Sequence, residues 1–354
     1  MIDRAEEMLS QLVLIKSTAD DPAGPMVDHV TSILKSMGLT PRLFGDKAHP
    51  AIVAQHMSGG VLLSGHLDTV PLGSGWRREQ GQVVSGVMYG RGTCDMKGGC
   101  TAMLMAAEEL VPAKVPFSLC LTLDEESTMD GAKAVAHDRA VTEAPAVLVA
   151  EPTRFDVVVR EKGLLQFEIS TKGKAAHASM PHLGDNAVTK MVKLLSRIED
   201  LQKVPAEPME EMTLSVDVIA GGTGTNVIPA DCRTEIDVRY PPNMGTQSVL
   251  KLVRDRLGPN GYELKVLHEL DPVETDRGSA PVRALKEVAG RSAEIISVPY
   301  ATEMVMFKAG NPVLMVCGPG DTRLAHVTDE HIRISDVVKA KEIYVKYCKR
   351  MAPK

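Results

Sequence analysis

Polar side chains that could bind metal ions follow three separate apolar runs of the chain. They are His66 and Asp68 after residues 61–63, Glu125 and Glu126 after residues 117–123, and Glu151 after residues 146–150. In an open α/β sheet the carboxyl ends of parallel strands meet in one crevice, so we expect these side chains to lie together. One imidazole and several carboxylates without a thiolate form a ligand set suited to Zn²⁺ or a similar divalent ion. Carboxylate-rich sets of this kind often hold two ions.

Two metal ions need a shared ligand, and the glycine-rich segment 89–99 offers Asp95. The start of this segment, G-R-G-T-C-D, is similar to a dinucleotide-binding loop. Asp95, however, occupies the position of the third glycine, and no suitable acidic residue follows a later strand, so we reject a nucleotide site. Cys94 and Cys100 are interpreted as packing thiols.

A second histidine ligand is expected from segment 318–331, which contains two candidates. His326 lies in a predicted loop beyond a buried run, whereas His331 begins the run into the last helix and is expected to be solvated. The position beyond a strand end favours His326.

The elements that must position these residues change character along the chain. Short runs that are apolar on both faces alternate with predicted helices, such as 97–111 and 131–137, which is typical of a buried, largely parallel sheet. From Gly163 the strands alternate polar and apolar residues around a predicted helix at 187–201. The buried pattern returns after Pro272. We therefore predict an α/β domain with a mostly parallel central sheet, formed by residues 1–162 and 272–354, and interrupted by a smaller α+β domain at 163–271.

Composition limits the class of protein. The 354 residues are 44% hydrophobic and 24% charged, which excludes a disordered chain. The net charge is −6 and no basic block contains interleaved aromatics, so no nucleic-acid partner is expected. No apolar stretch approaches the ~18 residues of a membrane span, and the six cysteines are scattered. These features favour a cytoplasmic protein with reduced thiols and no membrane partner.

Seven ordered motifs resemble one known family. They are SGHLDTVP, YGRGTCDMKGG, DEES, AEPT, GKAAHASMPHLGDNA, GGTGTNVIPADCRTEIDVRYPP and CGPGDTRLAHVTDEHI, which fall within residues 60–335. In this order they are similar to the motifs of the acetylornithine deacetylase, succinyl-diaminopimelate desuccinylase and carboxypeptidase G family. The resemblance implies a catalytic α/β domain holding a pair of zinc ions, and a lid domain that usually forms a homodimer.

The resemblance also implies a role for each residue of the metal centre. Asp95 corresponds to the carboxylate that bridges both ions, His66 and Glu151 to the other ligands of one ion, and Glu126 and His326 to those of the second. Asp68 corresponds to the carboxylate that fixes the ring of His66, and Glu125 to the general base. In family members the peptide bond after the bridging aspartate is cis, which here is Asp95–Met96.

Three residues of the predicted lid carry further implied roles. His177 corresponds to a histidine that stabilises the oxyanion, commonly from the partner subunit. Asn226 and Arg239 correspond to residues near the substrate, where an arginine could hold a carboxylate bidentately. A strand arginine in a salt bridge is the alternative for Arg239.

The motifs define the type of reaction more closely than they define the substrate. We expect hydrolysis of the amide bond of an N-acyl amino acid, with acetylornithine deacetylase as the leading hypothesis. A desuccinylase, a dipeptidase or a carboxypeptidase of the same family is the alternative, and a non-catalytic metal-binding module is the remote one. Zinc is the expected metal, with cobalt or manganese as alternatives. Two departures bear on the substrate. Many relatives have Gly-Thr-Asp followed by an Arg-Phe stretch where this chain has residues 300–306, which include Thr302-Glu303-Met304, and Lys162 stands where strict desuccinylases tend to have arginine.

Overall fold

The computed structural model describes residues 1–202 and 209–353, and these form two compact units. Unit 1 comprises residues 1–159, 274–296 and 302–354, and unit 2 comprises residues 160–273 and 297–301. The predicted insertion, 163–271, falls inside unit 2, although its residues 203–208 lie outside the described part. Residues 297–301 also belong to unit 2, and no feature of the sequence predicts this assignment.

The described residues form the following elements in chain order. The helices are α1 Ile2–Leu14, α2 Gly24–Ser36, α3 Gly98–Leu110, α4 Asp130–Val135, α5 Arg139–Thr142, α6 Ala187–Leu195, α7 Thr246–Leu257, α8 Ala280–Ala289, α9 Met304–Phe307 and α10 Ile334–Met351. The strands are β1 Arg42–Phe44, β2 Ala51–His56, β3 Val61–His66, β4 Gln82–Val84, β5 Val87–Tyr89, β6 Phe117–Thr122, β7 Val147–Val149, β8 Val157–Glu161, β9 Gly163–Lys172, β10 Thr213–Gly221, β11 Asp231–Tyr240, β12 Glu263–Leu270, β13 Val273–Glu274, β14 Ile295–Val298, β15 Leu314–Val316 and β16 His331–Arg333.

The central sheet has the order β1-β2-β6-β3-β7-β15-β8-β13, and β14 also pairs with β8. Strands β6, β3, β7 and β15 run parallel, while β1, β2 and β8 pair antiparallel with their neighbours. Every residue of β3, β6 and β7 is buried, because helices cover both faces of a parallel sheet. The predicted α/β class with a mostly parallel centre is confirmed.

Helices pack on this sheet through apolar faces. Helix α3 contacts α1 and α10, and nearly all of its residues are buried, as expected for a helix enclosed by neighbours. Helix α1 has no counterpart among the predicted elements, although its residues Ala5, Met8, Leu9 and Leu12 form one buried stripe.

Unit 2 contains an antiparallel sheet with the order β10-β11-β9-β12. Its buried side includes Phe167, Ile169 and Val238, which belong to one core with residues of α6 and α7. The helix predicted over 187–201 ends at Leu195. Beyond it, Ile198 is buried in the same core, and Glu199–Gln202 form a separate 3₁₀ helix. The α+β character of this part is confirmed.

A small three-stranded sheet, β16-β5-β4, is the element that brings the C-terminal part of unit 1 back toward segment 89–99. His331 pairs with Tyr89 in its register and lies against the Tyr89 ring. His331 is therefore half-buried in a strand rather than solvated at a helix start. No helix among the described residues has the length and apolar character needed to span a membrane.

Candidate metal centre

Three adjacent parallel strands, β6, β3 and β7, deliver the side chains of the centre. His66 is the last residue of β3, Glu125 and Glu126 follow β6, and Glu151 follows β7. The carboxyl ends of these strands lie side by side, so residues far apart in sequence come together.

The fourth contribution is the irregular turn Thr93–Lys97, which precedes α3 and carries Asp95. The Asp95–Met96 peptide bond is cis, as the resemblance implies. Gly99, in the first turn of α3, allows the start of this helix to approach the end of β7 closely, because a Cβ built there would lie 2.2 Å from the carbonyl oxygen of Ala150. The close approach brings Asp95 next to Glu151.

Asp95 lies between two histidines, one for each of its carboxylate oxygens. Oδ1 is 3.1 Å from Nε2 of His66, and Oδ2 is 3.3 Å from Nε2 of His326. His66 Nε2 is also 3.3 Å from Oε1 of Glu151, and His326 Nε2 is 2.8 Å from Oε1 of Glu126. The structure thus forms two groups that share Asp95: His66 with Glu151, and His326 with Glu126.

The surroundings of His66 fix which nitrogen faces the centre. Nδ1 lies 3.0 Å from the backbone carbonyl of Asp68, which can only accept, so Nδ1 carries the proton and Nε2 is free to bind a cation. The Asp68 carboxylate is 3.5 Å from the same Nδ1. Its oxygens accept the backbone N–H groups of Glu125 and Glu126, at 3.2 and 3.0 Å. Asp68 therefore orients the two glutamates as well as the histidine.

Within the described part of the chain, Asp95, Glu126 and Glu151 form ion pairs with histidines. Burial, followed by the charge of Asp95, raises the pKa of Glu151 to about 8. Burial also raises the pKa of Asp95, but hydrogen bonds to His326 and His66 outweigh it, and the net pKa is well below the ordinary value. Asp95 and Glu126 raise the pKa of His326 to about 10. Buried carboxylates need compensating charge, and divalent cations held by these groups would supply it.

Glu125 differs from the other glutamates because it belongs to neither of the groups that share Asp95. Burial is the main reason why its pKa is raised well above the ordinary value, and the neighbouring carboxylates Glu151, Asp95 and Glu126 add to the effect. A carboxylate with a raised pKa is suited to accepting a proton from water and passing it on.

Two wholly buried glutamates near the centre are absent from the predicted site residues, although Glu303 lies in the segment that departs from the family pattern. Glu303 accepts hydrogen bonds from the hydroxyls of Ser64 and Thr122, on β3 and β6. Glu330 accepts backbone N–H groups from the turn that carries Asp95. The proximity of Glu330 to His326 in sequence is the one feature that could have drawn attention to it.

The three predicted lid residues lie in unit 2. His177 is exposed and pairs with Val227 in an isolated bridge, and the N–H of Ala178 donates to the carbonyl of Asn226. His177 and Asn226 thus come from two adjoining loops. Arg239 donates from Nε and Nη2 to the Asp237 carboxylate, at 2.8 and 3.1 Å. The guanidinium of Arg239 is thus paired with Asp237 on the same strand. Its role toward a substrate stays a prediction.

Comparison with known proteins places this arrangement in one family. The family model for peptidase family M20/M25/M40 matches residues 62–350. The chain belongs to this family. It is 30% identical over 362 residues to acetylornithine deacetylase of Myxococcus xanthus, covering 95% of this chain and 94% of the relative. It is 27% identical over 344 residues to a probable succinyl-diaminopimelate desuccinylase of Staphylococcus aureus strain N315, covering 84% and 83%.

Solved structures of family members share the fold. An M20 family metallo-carboxypeptidase of Sulfolobus solfataricus superposes with a TM-score of 0.82 at 20% identity, covering 98% of this chain and 99% of that one. A dinuclear metal-binding peptidase of the M20 family from Bacillus subtilis gives a TM-score of 0.72 at 15% identity, covering 98% and 97%. The resemblance read from the motifs is confirmed at the level of the family and the fold.

Proposed function

We propose that this M20 family member is a two-metal amidohydrolase that cleaves the amide bond of an N-acyl amino acid. The observation that carries the proposal is the position of Asp95, whose two oxygens face two different histidines. One carboxylate between two donor groups is the arrangement that a pair of ions requires.

The donor set fits two divalent ions. His66, Asp95 and Glu151 would hold one ion, and Asp95, Glu126 and His326 the other, with zinc favoured by imidazole and carboxylate donors and cobalt or manganese as alternatives. The named dinuclear relative supports a pair rather than a single ion. When bound, such a pair polarises the substrate carbonyl and activates water.

The residues of the chain account for the movement of protons. Glu125 accepts a proton from the attacking water as its oxygen bonds to the carbonyl carbon. The same carboxyl group then donates that proton to the amide nitrogen as the C–N bond breaks, which yields a carboxylate and a free amine. Asp68 holds Glu125 through its backbone N–H, so the base is fixed beside the ligands.

N-acetylornithine is the leading substrate, supported by the relative from Myxococcus xanthus. N-succinyl-diaminopimelate and short peptides are the alternatives, supported by the Staphylococcus aureus relative and the named carboxypeptidase. A metal-binding module without turnover is disfavoured because the base candidate Glu125 is present together with all five ligand candidates.

We further propose that unit 2 acts as the lid and joins two copies of the chain. His177 of the partner subunit would then donate to the developing oxyanion, while Asn226 and Arg239 would lie near the substrate. His177 is exposed, and its Nδ1 accepts a hydrogen bond from the backbone N–H of Ser179 at 3.2 Å. The proton of the neutral ring is then on Nε2, which supports a donor role. A cytoplasmic location without nucleic-acid or membrane partners stays a prediction from composition.

A hydrolysis screen with metal analysis tests the proposal. The zinc- and cobalt-loaded protein is assayed with N-acetylornithine, N-succinyl-diaminopimelate and several dipeptides, and Glu125→Ala is the decisive variant. We expect this variant to keep two ions, because both groups around Asp95 remain, and to lose about 10²-fold or more in turnover. Activity close to that of the parent would remove Glu125 from the mechanism. Binding of at most one ion after reconstitution with excess metal would refute the two-metal centre.

A further inference from the structure

We propose that Glu330 is a positioning residue that holds the bridging carboxylate Asp95 in place for both metal ions, with Arg91 as its counter-ion. The inference rests on the proposed two-metal centre and adds a residue outside the five ligand candidates. Glu330 is 0% exposed, so its charge has to be satisfied by the protein.

Both oxygens of Glu330 are used by the segment that carries Asp95. Oε1 accepts the backbone N–H groups of Cys94 and Asp95, at 2.9 and 3.0 Å. Oε2 accepts from Nη1 of Arg91 at 2.7 Å. A charged acceptor makes such hydrogen bonds stronger than a neutral one does. Glu330 therefore binds the turn on both sides of Gly92.

The backbone places Glu330 where these bonds can form. Strand β16 begins at the next residue and pairs with β5, and the N–H of Gly90 donates to the carbonyl of Glu330 at 2.9 Å. Arg91 is itself almost wholly buried and lies over the Trp76 ring, with 5.4 Å from its guanidinium carbon to the ring centroid. The small sheet and the buried ion pair thus hold Glu330 from two directions.

The position of Glu330 couples the two groups of donors. It follows His326 by four residues and binds the backbone of Asp95, so it connects the loop of one ligand to the turn of the shared ligand. The two N–H groups that it accepts lie at the bridging residue and at the residue immediately before it. A displaced Asp95 would lose alignment with His66 and His326 together, and both ions would be affected.

Cobalt binding to the metal-free protein tests the inference. Cobalt is titrated with visible absorption as the readout, and retained metal is measured after dialysis for the parent, Glu330→Gln and Glu330→Asp. Glutamine has one carbonyl oxygen for two N–H groups and leaves Arg91 without an anion. Aspartate keeps the charge but is shorter by one methylene. We expect both variants to bind each of the two ions about 10–100-fold more weakly, the usual effect of removing a group that orients metal ligands.

Two matched variants separate this role from a loss of packing. Glu303→Gln also replaces a wholly buried glutamate, but one whose side chain is hydrogen-bonded to the hydroxyls of Ser64 and Thr122 instead of to the Asp95 turn, and it should keep the cobalt affinity of the parent. His326→Ala removes a donor from one group and should weaken one ion only. Circular dichroism at the titration temperature identifies the variants that are folded. If Glu330→Gln is unfolded, the cobalt affinity of Glu330→Asp tests the role of Glu330.

The outcomes distinguish this inference from the proposed function. Parent-like affinity for both ions in folded Glu330→Asp or Glu330→Gln would overturn the role of Glu330 and leave the proposed reaction standing. Weakening of one ion alone would likewise overturn it. Two bound ions without hydrolysis of any amide would overturn the reaction and leave the positioning role intact. A parent chain that binds no divalent ion would overturn both.

Discussion

Replacing the buried Glu303 with glutamine should change how the stability of the protein depends on pH. The Glu303 carboxyl is wholly buried, and its two oxygens accept hydrogen bonds from Ser64 at 2.5 Å and Thr122 at 2.7 Å. Burial raises its pKa above the ordinary value even though both hydroxyls lower it. Glutamine preserves the shape, and its amide can pair with both hydroxyls because a hydroxyl both donates and accepts.

The sign of the effect follows from the direction of the shift. Because the folded-state pKa of Glu303 is raised, the folded chain holds this proton more tightly than the unfolded chain. The free energy of unfolding therefore falls as pH rises from the unfolded pKa, near 4.5, toward the folded pKa. One proton accounts for a slope of at most about 1.4 kcal/mol per pH unit within that window. Glu303→Gln lacks this slope, so its stability relative to the parent should rise across the window and then stay constant.

Urea unfolding of the chelator-treated proteins between pH 4 and 8 measures the effect, because metal binding then adds no pH dependence of its own. Glu342→Gln, which changes a partly exposed glutamate beside Lys346, is the control and should show no comparable trend. Glu303→Ala should be destabilised at every pH, by about 1–3 kcal/mol for each hydroxyl left unpaired. A difference between Glu303→Gln and the parent that does not vary with pH, or that falls as pH rises, would refute the reasoning.

Three further predictions concern the centre and its supports. Asp68→Asn leaves one carboxylate oxygen fewer for two backbone N–H groups, so turnover or metal affinity, measured by assay and metal analysis, should fall about 10–100-fold; unchanged values would contradict its orienting role. Gly99→Ala places a methyl group against the backbone of Ala150, so urea unfolding should show a loss of about 1–3 kcal/mol, and a neutral result would contradict the close approach. His177→Ala should lower turnover about 10²–10³-fold with metals retained. Mixed dimers with Glu125→Ala should regain activity, and inactive mixed dimers would exclude action across the dimer.

The sequence by itself determined the architecture around the centre, because that information is local. Runs apolar on both faces predict buried parallel strands, and a strand end predicts where its next polar residue lies. This rule brings His66, Glu125, Glu126 and Glu151 to one edge of the sheet without knowledge of which strands are neighbours, whereas the division into ligands and base comes from the family resemblance. The ordered motifs then indicate the family, since several short patterns must match in one order.

Tertiary structure decided the contacts that depend on distant segments. Nothing in the pattern around Glu330 shows that it binds the Asp95 turn, because the pairing of β16 with β5 brings residues more than two hundred positions apart together. Glu303 is a departure from the family pattern in sequence, and only the adjacency of β3 and β6 supplies its two hydroxyl partners. The sequence around His331 predicts a solvated side chain, but the same small sheet places its ring against that of Tyr89. Side-chain periodicity reports which face of an element is buried, whereas the partner of a buried charge is set by which elements pack against it.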